Sequence, residues 1–371
     1  MHSIFRFLFL VSLGASLLSS STCNAQHVEF PDTLRINQIQ VIGSHNSFKQ
    51  SIGPKLFDIM LGMDPNARKL DYAHPSLTDQ LNLGLRNLEL DLFHDPDGGH
   101  YANPLGLNLV RLAGEKPLPY DPQGKMKKPG FKILHIQDID FRSNCLTLTD
   151  ALKEIRRWSD LHPHHLPVII TSNLSDQKIP LPGSAVPIPF DRMAYDALDK
   201  ELLSTLGRDK MIVPDDVRGD FDTLEEAVGK SNWPTLATAR GKILWVLDDM
   251  DQKRKAYLAD HPSLRGRAMF VNSRPGNPEA AILIRNNPVA DEQAISKLVS
   301  KGYIVRTRAD AATQEARDGS YIRFEAAKRS GAQVISTDFY LADRKINENF
   351  QIRFEDGGCL RLNPVTGLES E

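Results

Sequence analysis

The sequence contains little cysteine and no excess of charge of either sign. It has three cysteines in 371 residues and lacks any Cys-rich or multi-histidine spacing that would suit zinc. Lysine and arginine number 45, against 47 aspartate and glutamate residues. A balance this close to neutral gives no extended basic surface for nucleic acid. The composition therefore argues against a zinc module or a nucleic-acid-binding protein and favours a function that resides in a local site.

Long hydrophobic runs are also absent after residue 25. The first 25 residues contain an arginine, an apolar run over 4–18 and small residues ending at Ala25, which is the pattern of a secretory signal. The run is short for a bilayer-spanning helix. We therefore expect residues 1–25 to be a signal peptide, and residues 26–371 to form a single-domain protein that is secreted or periplasmic.

The mature chain keeps two cysteines, Cys145 and Cys359. Export exposes thiols to oxidation, so the two are a candidate disulfide. We expect them to pair, and two separate buried thiols are the alternative.

Apolar runs rich in valine, isoleucine and leucine recur along the chain and alternate with segments of helical periodicity, such as 146–161. Buried strands that alternate with helices indicate a parallel sheet, and eight of them indicate a (β/α)8 TIM barrel with elaborated loops. A doubly wound sheet is the alternative, and the short run 210–213 is interpreted as an edge piece in a connection. The eight runs are 38–44, 87–93, 131–137, 167–173, 242–248, 268–272, 303–309 and 333–338.

Several of these runs end in polar side chains. The first leads through Gly43 and Ser44 into His45 and Asn46. A lone histidine beside an asparagine is typical of a hydrogen-bonded turn. The pair becomes a candidate site because later strands also end in residues suited to acid–base chemistry or metal binding.

Two carboxylates, Glu89 and Asp91, lie two residues apart in the second run and therefore share a face of the strand. Neighbouring buried carboxylates raise each other's pKa unless a cation lies between them. Glu, Asp and Asn offer only oxygen, which favours calcium. The alternative is a pair of solvated acids on an edge strand.

His135 shares a face with Ile133 and Gln137 in the third run, so we expect it at the barrel end where active sites of this fold lie. A second imidazole near His45 allows one ring to accept a proton while the other donates one.

Arg306, Arg308 and Asp310 share a face of the seventh run. Alternating charges inside an apolar barrel indicate recognition of a phosphate or polyol. A structural network of salt bridges is the alternative. Asp248 and Asp338, which end the fifth and eighth runs, are further candidates of the same kind.

Together, these segments resemble the secreted bacterial calcium-dependent phosphatidylinositol-specific phospholipase C family over residues 38 to 340. The resemblance rests on the order and spacing of GSHNSF, NLELDLFHDPDGG, KILHIQDID, HLPVIITSN, YIVRTRAD and VISTDF. It implies that His45 and His135 are the catalytic pair and that Asn46, Glu89 and Asp91 bind Ca2+. Where relatives have a further glutamate ligand, this chain has Asn173, which we expect to be a weaker ligand.

The implied reaction is calcium-dependent cleavage of phosphatidylinositol to diacylglycerol and a cyclic inositol phosphate. We expect Glu89 or Asp91 to act as base, His135 to protonate the leaving group and His45 to bind the phosphoryl group, although the sequence alone lets the imidazoles exchange roles. Arg306 and Arg308 are the expected substrate-binding residues. We expect a monomer that contacts a membrane surface transiently and binds no nucleic acid. The alternatives are a glycerophosphodiester phosphodiesterase and a non-catalytic exported barrel that binds calcium or a polyol.

Overall fold

The structure, a computed structural model, describes residues 29–367, so the expected signal peptide lies outside the described residues. The strands are β1 Ile39–Ser44, β2 Asn87–Glu89, β3 Leu92–Phe93, β4 Lys132–Ile133, β5 Val168–Ser172, β6 Met211–Ile212, β7 Ile243–Leu247, β8 Phe270–Val271, β9 Ile282–Ile284, β10 Ile304–Arg308, β11 Val334–Thr337 and β12 Leu360–Leu362.

The helices surround these strands. They are α1 Pro54–Met63, α2 Leu77–Asn82, α3 Leu105–Leu112, α4 Leu148–Leu161, α5 Arg192–Leu206, α6 Pro214–Arg218, α7 Leu224–Gly229, α8 Leu236–Ala239, α9 Asp251–Leu258, α10 Pro288–Ser300, α11 Gln314–Asp318 and α12 Ile322–Ser330, with short 3₁₀-helices at Ile36–Gln38, Pro65–Leu70, Lys125–Lys127, Arg208–Lys210 and Pro262–Leu264. No helix in residues 29–367 is long and apolar enough to cross a bilayer.

Eight parallel strands form a strongly curled sheet, which confirms the predicted TIM-barrel-like fold. Their order is β9, β10, β11, β1, β2, β5, β7 and β8, and a bridge between Asn272 and Ile282 connects β8 back to β9. The strand β12 runs antiparallel to the first half of β1, with Leu362 opposite Ile39. Because the eight strands are parallel, their carboxyl ends lie at one end of the barrel, where the loops can build a site.

One strand prediction was wrong, and one barrel strand was not predicted. The run 131–137 supplies no barrel strand, because Lys132–Ile133 pairs antiparallel with Leu92–Phe93 in a separate two-stranded sheet. The barrel instead uses β9, a three-residue strand within the apolar stretch 280–284, which was not counted among the eight runs. The run 210–213 contains β6, which pairs with the start of β7 outside the barrel, as expected of an edge piece.

The main core lies between the strands and the helices. The helix α4 shows how the sequence builds it: the Thr147 side chain caps the first turn, and Leu148, Leu152, Ile155 and Trp158 are buried along one face. A second cluster, around Ile42 and Phe324, is completed by Phe350, Ile352 and Phe354 from the C-terminal segment.

The prediction of a disulfide between the two cysteines was wrong. Cys145 and Cys359 are not bonded to each other and lie in different core clusters. The Cys145 thiol donates to Glu154 at 3.2 Å, whereas the Cys359 sulfur contacts the Arg353 guanidinium. Each sulfur therefore has its own local polar contact.

Candidate active site

The polar side chains predicted from the sequence converge at the carboxyl ends of the barrel strands. His45 follows β1, Asn173 follows β5 and Asp338 follows β11, while Glu89 ends β2 and Arg308 ends β10. All five strands lie side by side in the sheet, which explains how residues nearly 300 positions apart in the chain become neighbours.

His45 is held by Asp338, at 2.8 Å between its Nδ1 and a carboxylate oxygen. Arg308 lies 3.2 Å from the Nε2 of the same ring and 3.2 Å from the other Asp338 oxygen. Burial and the charge of Arg308 lower the pKa of His45. Burial opposes ionisation of Asp338, but His45 and Arg308 outweigh it and hold the pKa of Asp338 well below its usual range. The arrangement favours a neutral imidazole with Nδ1 protonated and Nε2 able to accept a proton.

Asn46 is buried next to His45, in the left-handed backbone region with φ of 47°. Asparagine tolerates this conformation better than most residues. Its side-chain nitrogen donates to the Tyr72 hydroxyl at 2.7 Å, which leaves the amide oxygen as the ligand atom.

Glu89 and Asp91 lie on either side of the Asn173 amide, whose nitrogen is 3.2 Å from an oxygen of each carboxylate. Burial and the charge of Glu89 raise the pKa of Asp91 to about 7. Burial also opposes ionisation of Glu89, but an ion pair with Arg306 outweighs it and lowers the pKa of Glu89. The predicted repulsion between the carboxylates is thus present, and Arg306 compensates only the first of them.

The chemistry of this donor set fits calcium. Within the described residues, no three His, Cys, Asp or Glu side chains form a group that could hold a metal ion. The candidate set instead combines two carboxylates, Glu89 and Asp91, with two carboxamides, Asn46 and Asn173. Calcium accepts both kinds of oxygen, and Asn173 would present its oxygen once its amide turns over, since its nitrogen faces both carboxylates in this structure. A cation here would relieve the repulsion that, together with burial, raises the pKa of Asp91.

His135 reaches the site from the loop after β4 and not from a barrel strand. Its Nδ1 lies 2.7 Å from Asp140. The other Asp140 oxygen is 3.4 Å from Lys49 Nζ, and both of these side chains are fully buried. Burial opposes protonation of His135, but the hydrogen bond and charge of Asp140 outweigh it, so the pKa of His135 is raised. His135 is therefore suited to donate a proton, in contrast to His45.

The two arginines differ in their freedom to bind a ligand. Arg306 is buried and donates to Asn286 at 2.6 Å, to Ser336 at 3.0 Å and to Glu89. Arg308 retains 14% of its side-chain exposure and faces His45. The structural network considered as an alternative is present at both arginines, since Arg308 lies 3.2 Å from Asp338 and 3.8 Å from Asp310. A substrate contact at Arg308 stays a prediction.

Sequence reasoning missed Asp140 and Lys49 and gave Asp338 no specific partner. Asp140 lies in the quoted segment KILHIQDID, five residues after His135, and this spacing was the available signal. Lys49 gave no signal, since a lysine in a polar turn is normally exposed. Its ammonium group donates to the carbonyls of Leu70 and Tyr72, at 2.9 Å each.

A TIM-barrel-like fold with two carboxylate-held imidazoles beside a pair of carboxylates defines a barrel enzyme equipped for acid–base chemistry. The family model described as phosphoinositide phospholipase C, Ca2+-dependent, matches residues 34–364. The chain therefore belongs to this family and is a phosphoric diester hydrolase for phosphatidylinositol. This confirms the family and the activity predicted from the sequence.

Solved structures support the fold. A calcium-dependent phosphoinositol-specific phospholipase C from Pseudomonas sp. is 15% identical with a TM-score of 0.52, and the match covers 90% of this chain and 97% of that one. A Ca2+-dependent phosphatidylinositol-specific phospholipase C from Streptomyces antibioticus is 17% identical with a TM-score of 0.50, and the match covers 83% and 95%. A search among curated proteins finds no sequence that matches this chain.

Proposed function

We propose that this barrel cleaves phosphatidylinositol by internal attack of the inositol 2-hydroxyl on phosphorus, which releases diacylglycerol and leaves a cyclic inositol phosphate. The observation that supports this reaction is the pair of histidines with different partners: His45 is held by Asp338 and Arg308, and His135 by Asp140. Internal attack replaces a bimolecular step by an oriented unimolecular one, which can be worth about 7–11 kcal/mol.

We assign Asn46, Glu89, Asp91 and Asn173 as the residues that would hold calcium. When bound, the ion would lower the pKa of the attacking hydroxyl and offset charge growing on the phosphoryl oxygens. Both carboxylates are then occupied as ligands, and Glu89 is in addition paired with Arg306. We therefore assign the base to His45 instead of the carboxylates favoured on sequence grounds.

In this assignment the Nε2 of His45 takes the hydroxyl proton while Asp338 holds its Nδ1. His135, protonated through its contact with Asp140, gives its proton to the diacylglycerol oxygen as the bond to phosphorus breaks. Arg308, whose side chain keeps 14% of its exposure, contacts a phosphoryl oxygen.

The direct test follows phosphatidylinositol hydrolysis with calcium and with a chelator, and identifies the products by ³¹P NMR. We expect calcium-dependent release of a cyclic phosphate. Glycerol phosphate formed from glycerophosphocholine would instead support a glycerophosphodiester phosphodiesterase. Binding of calcium without turnover of either substrate would support the non-catalytic alternative.

The proton-donor role of His135 is tested with two leaving groups. His135→Ala should slow release of an alkoxide by about 10²–10⁴-fold and affect a nitrophenolate far less, since a good leaving group needs no protonation. His261→Ala is a matched control, because the His261 ring contacts the carbonyl of Arg265 on the loop before β8. Equal losses on both substrates would show that His135 only positions the substrate.

We also propose that the protein is exported, acts as a monomer and meets membrane surfaces transiently. Export and the monomeric state rest on the sequence and the resemblance described above. Membrane contact is supported in addition by two exposed apolar side chains, Met63 at the end of α1 and Leu112 at the end of α3. These helices contact each other beside the loop that carries His135. Co-sedimentation with phosphatidylinositol vesicles should weaken when both residues are replaced by serine.

A further inference from the structure

A second cleft lies at the amino-terminal end of the barrel, opposite the candidate active site. Arg86 immediately precedes β2, His165 lies just before β5 and Arg240 just before β7. The cleft encloses about 470 Å3 between α4 and the C-terminal segment that leads into β12. Three arginines and three histidines are among its lining residues, and the lining contributed by residues 29–367 includes no aspartate or glutamate.

Two of these arginines have no carboxylate partner among the described residues. Arg240 is paired with Asp32 at 2.8 Å, whereas neither Arg86 nor Arg353 forms an ion pair in the described chain. Both donate to main-chain carbonyls instead: Arg86 to Leu81 and Leu85, and Arg353 to Leu83 and Tyr340. Carbonyl dipoles orient a guanidinium but leave its net charge uncompensated.

Arg86 shows the cost of this arrangement most directly. Its Nε is buried without a hydrogen-bond partner. Burial lowers the pKa of Arg86 to about 10. Buried polar groups and charges in proteins are normally matched by a partner. The Cys359 sulfur lies beside the Arg353 guanidinium and interacts with the charge of Arg86. Even as a thiolate, this sulfur offsets one of the two positive charges.

One wall of the cleft is aromatic and aliphatic. The rings of Trp158 and His162 are stacked with centroids 4.6 Å apart, and the Arg86 guanidinium lies 5.1 Å from the centre of the Trp158 ring. Leu83 and Leu166 add aliphatic surface to the lining. A cavity of this size, with a few convergent polar groups on an apolar wall, is typical of a small-molecule site.

We propose that this cleft binds a small phosphomonoester, with its phosphate between Arg86 and Arg353 and its organic part against Trp158. A phosphomonoester carries about −1.5 to −2 charges near pH 7, more than a carboxylate, which suits a cleft whose two guanidiniums keep one to two uncompensated positive charges. Arginine forks suit phosphate oxygens geometrically. The proposal does not depend on the assigned reaction, because none of these residues belongs to the candidate active site.

The test titrates the full-length mature protein with phenyl phosphate, inorganic phosphate and benzoate, and follows tryptophan fluorescence. Trp158 is the reporter, because it lines the cleft, whereas Trp233 and Trp245 lie outside it and are fully buried. We expect phenyl phosphate to bind more tightly than inorganic phosphate, and both to bind more tightly than benzoate. Hydrogen exchange should slow in residues 81–86 and 357–360 on binding, which separates this cleft from phosphate bound near Arg308.

Arg86→Met and Arg353→Met should each weaken phenyl phosphate binding at least tenfold. Arg240→Met is the matched control within the same cleft, since Asp32 already compensates that charge, and it should change binding less than threefold. Arg86→Lys and Arg353→Lys keep the charge and serve where a methionine variant fails to fold; they should weaken phenyl phosphate binding by loss of the fork.

Three results would overturn the proposal. The first is the absence of any phosphate-dependent protection at 81–86 and 357–360. The second is equal affinity for phenyl phosphate and benzoate, which would show that the ring alone is bound. The third is equal affinity in the Arg86 and Arg353 variants and the Arg240 control, which would show that the two arginines serve only to hold the carbonyls they contact.

Discussion

The pKa of His135 is raised because, against the effect of burial, Asp140 accepts its Nδ1 proton. The other Asp140 oxygen lies 3.4 Å from the buried Lys49 Nζ. A proton donor is active only while protonated, so activity falls as pH rises through its pKa. Asp140→Asn removes the charge that raises the pKa of His135. The alkaline limb of the pH profile for kcat should therefore move to lower pH.

The control for this prediction must separate a pKa effect from general damage, because Asp140→Asn leaves Lys49 buried without its counter-charge. Lys49→Met combined with Asp140→Asn removes both charges and should be more stable than the single variant. Its alkaline limb should still be displaced from that of the parent, but by less, because the charge of Lys49 lowers the pKa of His135. An alkaline limb that stays in place, with only a lower maximum, would mean that Asp140 holds the loop and not the protonation state of His135.

Asn173 determines how many charges the proposed calcium ligands carry. Glu89 and Asp91 supply two, and Arg306 offsets part of the first. Ligand charge is a main determinant of calcium affinity, so we expect binding in the range of about 10⁻⁴–10⁻³ M. Asn173→Glu should lower the calcium concentration for half-maximal activity by about tenfold or more, which corresponds to roughly 1.4 kcal/mol.

The matched control for Asn173 is Asp176, three residues further along the same loop. Asp176 is ion-paired with Lys253 at 2.9 Å, which holds it away from a role as substitute ligand. Asp176→Asn should leave the calcium activation curve unchanged. A strong loss of calcium affinity in Asp176→Asn would show that this carboxylate moves in, and calcium-independent activity in every variant would refute the metal assignment.

At the residue scale, the sequence predicted side chains that lie within strong apolar runs or directly follow them, such as Glu89, Asp91 and His45. Their strand positions fix which way they face, so pattern alone carries the information. It could not predict the partnership of Lys49 with Asp140, because that contact joins two loops through space. Nor could the pattern show that Arg306 forms an internal ion pair with Glu89. The alternation of Arg306 with Arg308 would be the same whether Arg306 binds a substrate or a buried carboxylate.

At the element scale, the contact between β1 and β2 controls the spacing of His45 and Glu89. Gly43 pairs with Asn87, and a Cβ on Gly43 would lie 2.4 Å from the Asn87 Cβ. Asn87 is fully buried and donates to the carbonyl of Ile169, so it has little room to shift. Gly43→Ala should destabilise the protein by about 1–3 kcal/mol in urea unfolding and should reduce activity.

The matched control is Gly62→Ala in α1, where an added Cβ meets no heavy atom within 4 Å. Alanine is the better helix former, so this variant should keep or slightly raise stability. Similar unfolding midpoints for the two variants would mean that β1 and β2 separate easily and that Gly43 is not needed for their close approach.

The wrong strand prediction and the missed strand have a common physical cause. Residues 131–137 have the composition of a barrel strand, yet the segment lies outside the barrel and pairs with Leu92–Phe93. β9 has three residues and obtains its stability from pairing with β10, with Ile304 opposite Ile282. Intrinsic β-propensity is a weak guide when neighbouring strands decide the pairing. His135 was nevertheless placed at the correct end of the barrel, because its loop returns there.

At the scale of the whole molecule, the fold was predictable because repeated strand–helix alternation has few compact solutions. The role of the C-terminal segment was less predictable. This segment adds β12 to β1 and covers the second core cluster. Its short apolar stretches gave no distinct pattern. The barrel therefore depends on both ends of the described chain, which meet at β1.

Calcium should stabilise the whole protein if it binds where we propose, because only the folded chain brings Asn46, Glu89, Asp91 and Asn173 together. With affinity of about 10⁻⁴–10⁻³ M, 10 mM calcium should add about 1.4–2.7 kcal/mol to the free energy of unfolding. For a domain of this size, that raises Tm by roughly 2–4 °C. Magnesium should give less, because it demands a tighter octahedral site.

Asp91→Asn separates this linkage from nonspecific salt effects. Folding raises the pKa of Asp91 to about 7. The calcium-free protein therefore loses stability as the pH rises from the pKa of Asp91 in the unfolded chain to its pKa of about 7 in the folded chain. At pH 8 without calcium, the asparagine variant should therefore unfold at a higher temperature than the parent. The Tm of the variant should rise little with calcium, whereas the Tm of the parent should rise. The difference between the two Tm values should therefore shrink, or change sign, as calcium is added. An equal gain in both proteins would place the stabilising ion elsewhere.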